Sequence, residues 1–242
     1  MTSRLFAICF RAARPADLAE FWAAVLGRQA VVGTRGDAEV LPAGADGYLL
    51  RFVPGQEPRT GRNRAHFDLT SSSAQDQRDT VDRALAHGAR PLDVGQLPEE
   101  GHVVLADPDG NEFCVIEPGN AFLAGTGAVG ALACDGTSAV GRFWSAALGW
   151  PLVWDQDEET AVQAPDGGTK ITWGGPPVAP KHGTNRLFLE LEPPGPTEAD
   201  RAAEADRLVA LGATLPGAGG PRSDGALLLL DPDGNEFTLR AG

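Results

Sequence analysis

The heptapeptide Asp107-Pro108-Asp109-Gly110-Asn111-Glu112-Phe113 returns unchanged at Asp231-Pro232-Asp233-Gly234-Asn235-Glu236-Phe237, 124 residues later. Two further pairs repeat at an offset of 122: Phe21-Trp22 with Leu26-Gly27 against Phe143-Trp144 with Leu148-Gly149, and Asn63-Arg64 against Asn185-Arg186. Self-similarity over half the chain length means one structural unit written twice. A fold for this chain must therefore be built from two related halves, and residues that differ between the halves become candidates for function.

The 242 residues suffice for two domains of ordinary size, and a hydrophobic share of 42% supplies core material for both. A net charge of −13 argues against a nucleic-acid partner, because a polyanion gains nothing from a phosphate backbone. The longest aliphatic run, Ala226 to Leu230, is far short of a membrane span, so no membrane partner is expected. Met1 to Phe10 is too short for a signal core. Cys9, Cys114 and Cys134 are odd in number and lack a CxxC spacing, which suits reduced thiols and a cytoplasmic location.

Leu5 to Phe10 reads as an apolar strand. Leu18, Phe21, Trp22, Val25 and Leu26 then recur at helical spacing, with Pro15 in the first turn and Gly27 as the stop. In the second copy Thr137 or Ser138 caps the equivalent helix, which carries Val140, Phe143, Trp144, Ala147 and Leu148. Short strands follow each helix, ending in Tyr48 to Val53 and Thr169 to Trp173. Another strand, Arg64 to Thr70 or Arg186 to Leu191, precedes a polar second helix near Ala74–His87 or Glu198–Leu211. Thr197 and Asp200 stand in capping-box positions. Each half is thus β-α-β-β-β twice. The fold class is α+β: four β-α-β-β-β units forming two curled mixed sheets with helices outside. Domain boundaries fall at 1–120 and 127–242, joined by 121–126. Asp-Pro-Asp-Gly is a turn in which Pro fixes φ and Gly accepts positive φ, so the doubled heptapeptide reads as architecture.

The four units, the Phe-Trp helices ending Leu-Gly, the Asn63-Arg64-Ala65-His66-Phe67-Asp68 strand and the two DPDGNEF turns together resemble the vicinal oxygen chelate superfamily of glyoxalase I, bleomycin-resistance proteins and extradiol dioxygenases. That resemblance implies two tandem glyoxalase-like domains. It also implies, for metal-dependent members, a divalent cation held by His or Glu on the first and last strands of paired units. His66 falls at one such position. Leu5 to Phe10 contains no His, Cys114 stands where Glu is expected, and Phe188 and Thr238 replace His66 and Cys114 in the second half. No metal is therefore expected, and His66 is the one position that matches a family ligand.

Alternation along the strands turns Phe67, Leu69, Phe113, Val115, Leu50 and Phe52 toward the helices. His66, Asp68, Arg51 and Cys114 then face the concave side, where they could surround one polar spot. Their counterparts Phe188, Glu190 and Thr238 are less reactive, and His102 has no counterpart imidazole. His66 with Asp68 can act as an acid–base pair or can shape a pocket. Arg51 can meet an anionic group of a ligand or a nearby acid, and Arg51, His102, Cys114, Phe188 and Glu190 are expected to line a ligand site. The functions that fit are binding of a small organic metabolite or antibiotic, as in bleomycin-resistance proteins, or, as alternatives, a lyase, isomerase or epimerase using His66 and Asp68, or a divalent-metal-dependent glyoxalase-like enzyme. Tandem copies favour a monomer with intrachain domain pairing, with a homodimer as the alternative.

Overall fold

A computed structural model describes residues 2–43, 47–55, 61–97, 99–217 and 225–241. Four units follow in chain order. The first comprises β1 (Arg4–Ala12), α1 (Pro15–Leu26), β2 (Ala30–Val32), β3 (Ala38–Val40) and β4 (Leu49–Pro54). The second comprises β5 (Ala65–Leu69), α2 (Ala74–Ala86), β6 (Arg90–Pro91), β7 (Val103–Ala106) and β8 (Glu112–Val115). The third comprises β9 (Val129–Cys134), α3 (Ser138–Leu148), β10 (Leu152–Gln156), β11 (Glu159–Val162) and β12 (Lys170–Trp173). The fourth comprises β13 (Leu187–Glu192), α4 (Glu198–Ala210), β14 (Leu227–Leu230) and β15 (Glu236–Leu239). Here the first strand after the helix is reduced to a single bridge, Thr214↔Leu230.

The sheets do not follow the sequence halves. Unit one pairs with unit four through antiparallel β1 and β13, giving the seven-stranded order β14-β15-β13-β1-β4-β3-β2. Unit two pairs with unit three through antiparallel β5 and β9, giving the eight-stranded order β10-β11-β12-β9-β5-β8-β7-β6. Every sheet thus contains one unit from each copy of the repeat, and neither copy completes a sheet alone.

One core spans the helix-facing sides of both sheets. The Phe-Trp helices supply its centre and tie the sheets together. Trp22 lies on α1, whose flanking strands belong to the seven-stranded sheet, yet its ring meets Phe67 at 5.4 Å and Phe113 at 5.1 Å in the eight-stranded sheet. Trp144 on α3 reciprocates by meeting Phe237 of the seven-stranded sheet at 5.0 Å. Such aromatic pairs add to simple area burial. Gly27 and Gly149 end these helices in the left-handed conformation that glycine adopts without steric cost. The polar helices dock on those ends: Arg83 donates to the Val25 carbonyl at 3.1 Å, and Arg207 to the Ala147 carbonyl at 2.8 Å. Carbonyls at a helix C-terminus lack intrahelical donors, which makes them natural arginine acceptors.

The heptapeptide turns anchor this packing. Asp107 is fully buried; its carboxylate accepts from the amides of Asp109 and Asn111, the Asn111 side chain and the Trp22 indole. Asp231 accepts equivalently from Asp233, Asn235 and Trp144. The second Asp of each turn holds a helix start, Asp109 accepting from the Ala13 amide at 2.9 Å and Asp233 from the Thr137 amide at 2.7 Å. Thr137 occupies the N-cap position, but its hydroxyl bonds Asp233 at 3.1 Å and caps no helix amide. Thr197 and Asp200 do form the expected capping box. Glu112 and Glu236 accept from the amides of Asn63 and Asn185.

Burial raises the Asp107 carboxyl to about 6, against hydrogen bonds that favour its charged form. A folded-state value above the ordinary 3.8 means stability is greatest below that value and declines as pH rises through about 6. Wild type is therefore expected to lose up to about 3 kcal/mol relative to Asp107→Asn between about pH 4 and pH 7, even though the variant is less stable throughout. Urea unfolding of both proteins across that range checks this, and parallel pH profiles would refute it.

Candidate functional site

Strand alternation holds on both sheets. Phe67, Leu69, Phe113 and Val115 are core residues facing the helices, while Cys114 packs with Val104, Ile116, Leu123 and Ala131 on the opposite side. On that side His66 Nε2 lies 3.4 Å from Asp68 Oδ1, and ligand atoms of His66, Asp68 and Cys114 all fall within 4.8 Å of one another. The imidazole is about a third exposed and the Asp68 carboxylate about a fifth. Cys114 is buried, and burial together with its hydrogen bond to Asp68 pushes the thiol up to about 12. It is a protonated donor to Asp68 and not a nucleophile poised near neutrality.

Arg51 does not join this cluster. It lies on β4 of the seven-stranded sheet, because unit one pairs with unit four and not with unit two. Its guanidinium forks onto Glu190 at 3.0 and 3.2 Å and donates to Asp37 at 3.0 Å, with Glu39 at 3.7 Å. Burial alone would lower its pKa; Glu190 and the hydrogen bonds to Asp37 and Glu190 outweigh that and raise it. Of the alternatives weighed for Arg51, the acid partner is realised, and the charge is spent inside the protein. Phe188 and Glu190 also belong to this sheet: Phe188 packs with Ala7, Cys9 and Val53, and the Arg11 guanidinium lies 4.8 Å from its ring centre. His102 precedes β7 and is not among the three clustered groups. The five expected ligand-lining residues are thus divided between two sheets.

Strand register makes the two faces comparable position by position. His66, Asp68 and Cys114 correspond to Phe188, Glu190 and Thr238, since Asp68↔Cys114 matches Glu190↔Thr238. Ala133, Thr172 and Ala161 correspond to Cys9, Arg51 and Glu39. One face is filled by an arginine with its carboxylates. The other has small side chains at the same positions and an imidazole beside them.

Segment 121–126, expected as a simple join, forms a wall of the cleared face. Leu123 is buried against Cys114 and Ala131. Gly130 makes room for it, since a β-carbon there would stand 3.0 Å from Leu123 and 2.7 Å from Thr70. Phe122 is edge-on to Trp154 at 6.1 Å, with the Lys170 ammonium 4.4 Å from the Phe122 ring centre. Phe122, Trp154 and Lys170 are not evident from repeat comparison. Lys170 carried one signal, being one of only two lysines in the chain. A separate cavity of about 40 Å³, lined by Arg64, Ala65, Trp144, Trp173 and Asn185 among others and not by His66 itself, holds little more than a water molecule.

His66 and Cys114 occupy the strand positions at which the superfamily's metal ligands are expected, and Asp68 adds a carboxylate. The facing strands β9 and β12 contribute Ala133 and Thr172, with no second imidazole or carboxylate. Imidazole, carboxylate and thiolate are enough for a four-coordinate zinc-like ion with one open position. They are too few for a six-coordinate hard cation.

Four units paired into two curled sheets, with a polar cluster on one open face, define a tandem protein of the vicinal oxygen chelate type. The chain belongs to the glyoxalase-like domain family, whose model matches it twice, over residues 7–116 and 130–240. No curated protein matches it. Among solved structures, glyoxalase I from Zea mays is similar over 99% of this chain and 92% of its own, with 14% identity and a TM-score of 0.63. A mutant of that maize enzyme gives 15% identity, the same two coverages and a TM-score of 0.63. A glyoxalase-related enzyme from Fulvimarina pelagi covers 53% of this chain and 96% of its own, with 16% identity and a TM-score of 0.41. At 14–15% identity the maize structures define the fold and not the reaction. Among the described residues no helix is long and apolar enough to cross a membrane.

Removing the arginine from the filled face should be costly, because Glu190 is only 4% exposed. Arg51→Met is expected to destabilise by about 3–5 kcal/mol, the usual cost of an orphaned buried charge. Adding Glu190→Gln should restore much of the loss. Thermal and urea unfolding of the single and double variants measure this, and an unaffected single variant would show that the network carries no weight.

Proposed function

We propose that the protein binds a small organic molecule on the cleared face of the eight-stranded sheet, with His66 and Asp68 as its polar contacts. The observation that carries this reading is the asymmetry of equivalent positions: Glu39, Arg51 and Cys9 fill one face, while the other has the smaller Ala161, Thr172 and Ala133 beside an imidazole. Concave surfaces of small and apolar residues with a few convergent polar groups are the usual form of a ligand site. The 3.4 Å His66–Asp68 pair also supports lyase, isomerase or epimerase chemistry. In that chemistry Asp68 orients the ring and His66 takes a proton from a carbon next to a carbonyl. Pairing of β1 with β13 and of β5 with β9 inside one chain fits a monomeric unit. Three cysteines outside any disulfide fit a cytoplasmic setting.

Binding is expected in a screen of small carbonyl compounds by native mass spectrometry, with the His66→Ala variant binding about tenfold more weakly. For a compound that binds, proton NMR in heavy water should show exchange of the hydrogen next to the carbonyl, slowed at least about a hundredfold by His66→Ala. Binding unaffected by that substitution would remove His66 from the site. Exchange unaffected by it would remove the acid–base role.

A second reading keeps a metal at the same spot, favoured by the three ligand atoms within 4.8 Å of one another. When bound, such an ion would polarise a ligand carbonyl. Protein exposed to zinc and then desalted should retain about one equivalent per chain on elemental analysis if this holds, and Cys114→Ala should abolish retention. Substoichiometric zinc in the wild type would eliminate this reading and leave the first intact.

A further inference from the structure

Three side chains on the cleared face stand outside the His66 cluster and need an explanation. Lys170 is aligned through Ala131 with Asp68, two strand spacings or about 10 Å away. Its ammonium donates to the Phe122 carbonyl and lies over the Phe122 ring. Among the described residues it has no carboxylate partner, in a chain of 33 acidic residues. An ammonium with no counter-ion, partly withdrawn from water, carries a desolvation cost that burial imposes here by lowering its pKa. In the other sheet the equivalent residue, paired with Ala7 as Lys170 is with Ala131, is Leu49.

Trp154 belongs to the row Trp154↔Ala161↔Thr172↔Ala133↔His66, so its ring rises on the same face as the imidazole. Trp154 and Phe122 remain 38% and 36% exposed, although each could bury its ring in a chain with ample apolar surface. Between Trp154 and His66 the row runs through Ala161, Thr172 and Ala133; Ala161 is buried, while the small side chains of Thr172 and Ala133 are half-buried and face the same side. A flat body against the two rings can therefore pass over Thr172 and Ala133, with an anionic group at one end and a polar group at the other.

We propose that Lys170, Phe122 and Trp154 form the end of the site that holds a planar carboxylate, an aromatic or conjugated organic acid. The anion pairs with Lys170, the flat body lies against the two rings, and the remainder extends over Thr172 and Ala133 toward His66. This rests on the reading of the cleared face as a ligand site and adds the class of ligand. Lysine is suited to the role as a mobile point charge, and aromatic rings suit a flat partner.

Cinnamate and its uncharged amide serve as probes, titrated into the full-length protein by calorimetry. Cinnamate should bind saturably and the amide at least about tenfold more weakly, the worth of one charge-assisted contact. Lys170→Met should remove the preference for the acid, Lys170→Arg should keep most of it, and Phe122→Ala should weaken both probes. Matching thermal melts identify any variant that fails to fold, and the arginine variant then decides. Equal binding of acid and amide, a preference surviving Lys170→Met, or no saturable cinnamate binding would each overturn the proposal. A carbonyl compound from the screen that depends on His66 and not on Lys170 would leave the small-molecule reading standing while removing this one. A screen without any binder would remove both.

Discussion

Two indole nitrogens, each buried against a carboxylate, hold this architecture together. Trp22 and Trp144 must sit in the middle of the core to bridge the two sheets, and a buried N–H without an acceptor costs on the order of 1–3 kcal/mol. Asp107 and Asp231 supply the acceptors. A carboxylate in that position would be costly in turn, so each is wrapped by amides of its own turn. The Pro-Asp-Gly conformation is what presents those amides. Indole, carboxylate and turn therefore require one another, which explains why seven consecutive residues are identical in two places.

The same turns settle how the halves meet. Arg64 of the first copy donates to Asn235 of the second at 2.8 Å, and Arg186 of the second donates to the Asp109 carbonyl of the first at 2.8 Å. Each copy's Asn-Arg pair thus grips its own turn with the asparagine and the opposite turn with the arginine. This exchange sits where β5 meets β9 and where β1 meets β13, the two seams that join units from different copies. Pairing across copies follows from that reciprocity, because an arginine folded back on its own half would leave the partner turn without its donor.

Local signals carried most of the fold. The Phe-Trp helices, their glycine stops, the Thr197–Asp200 box and the strand alternation around His66 and Cys114 all depend on spacing that a single chain displays. Partnership between strands does not. Arg51 and His66 both face away from the helices and lie in the same copy of the repeat, yet a seam between units places them in different sheets. Sequence could give the direction of each side chain relative to its own sheet, and it could not say which sheet that was. Phe122 was hidden for another reason: a join rich in Ala and Gly carries no periodic signal, and its role as a wall depends on where the chain crosses the sheet.

Duplication leaves two equivalent faces, and the physical chemistry of their centres separates them. On one, Arg51 provides a fixed cation for Glu190, Asp37 and Glu39, so the positions at which the superfamily's cation is expected hold a guanidinium of the chain itself. That arrangement is closed: the charge is paired, the carboxylates are largely buried, and a ligand would have to break a network worth several kcal/mol. On the other, Thr172 and Ala161 stand in place of Arg51 and Glu39, and the polar groups that remain are incompletely paired with one another. His66 stands 3.4 Å from Asp68, within ion-pair distance only, and Lys170 reaches only a backbone carbonyl and a ring. Groups left short of partners on an open surface are the ones that a ligand can satisfy, so the stability held in the filled sheet frees the cleared sheet for recognition.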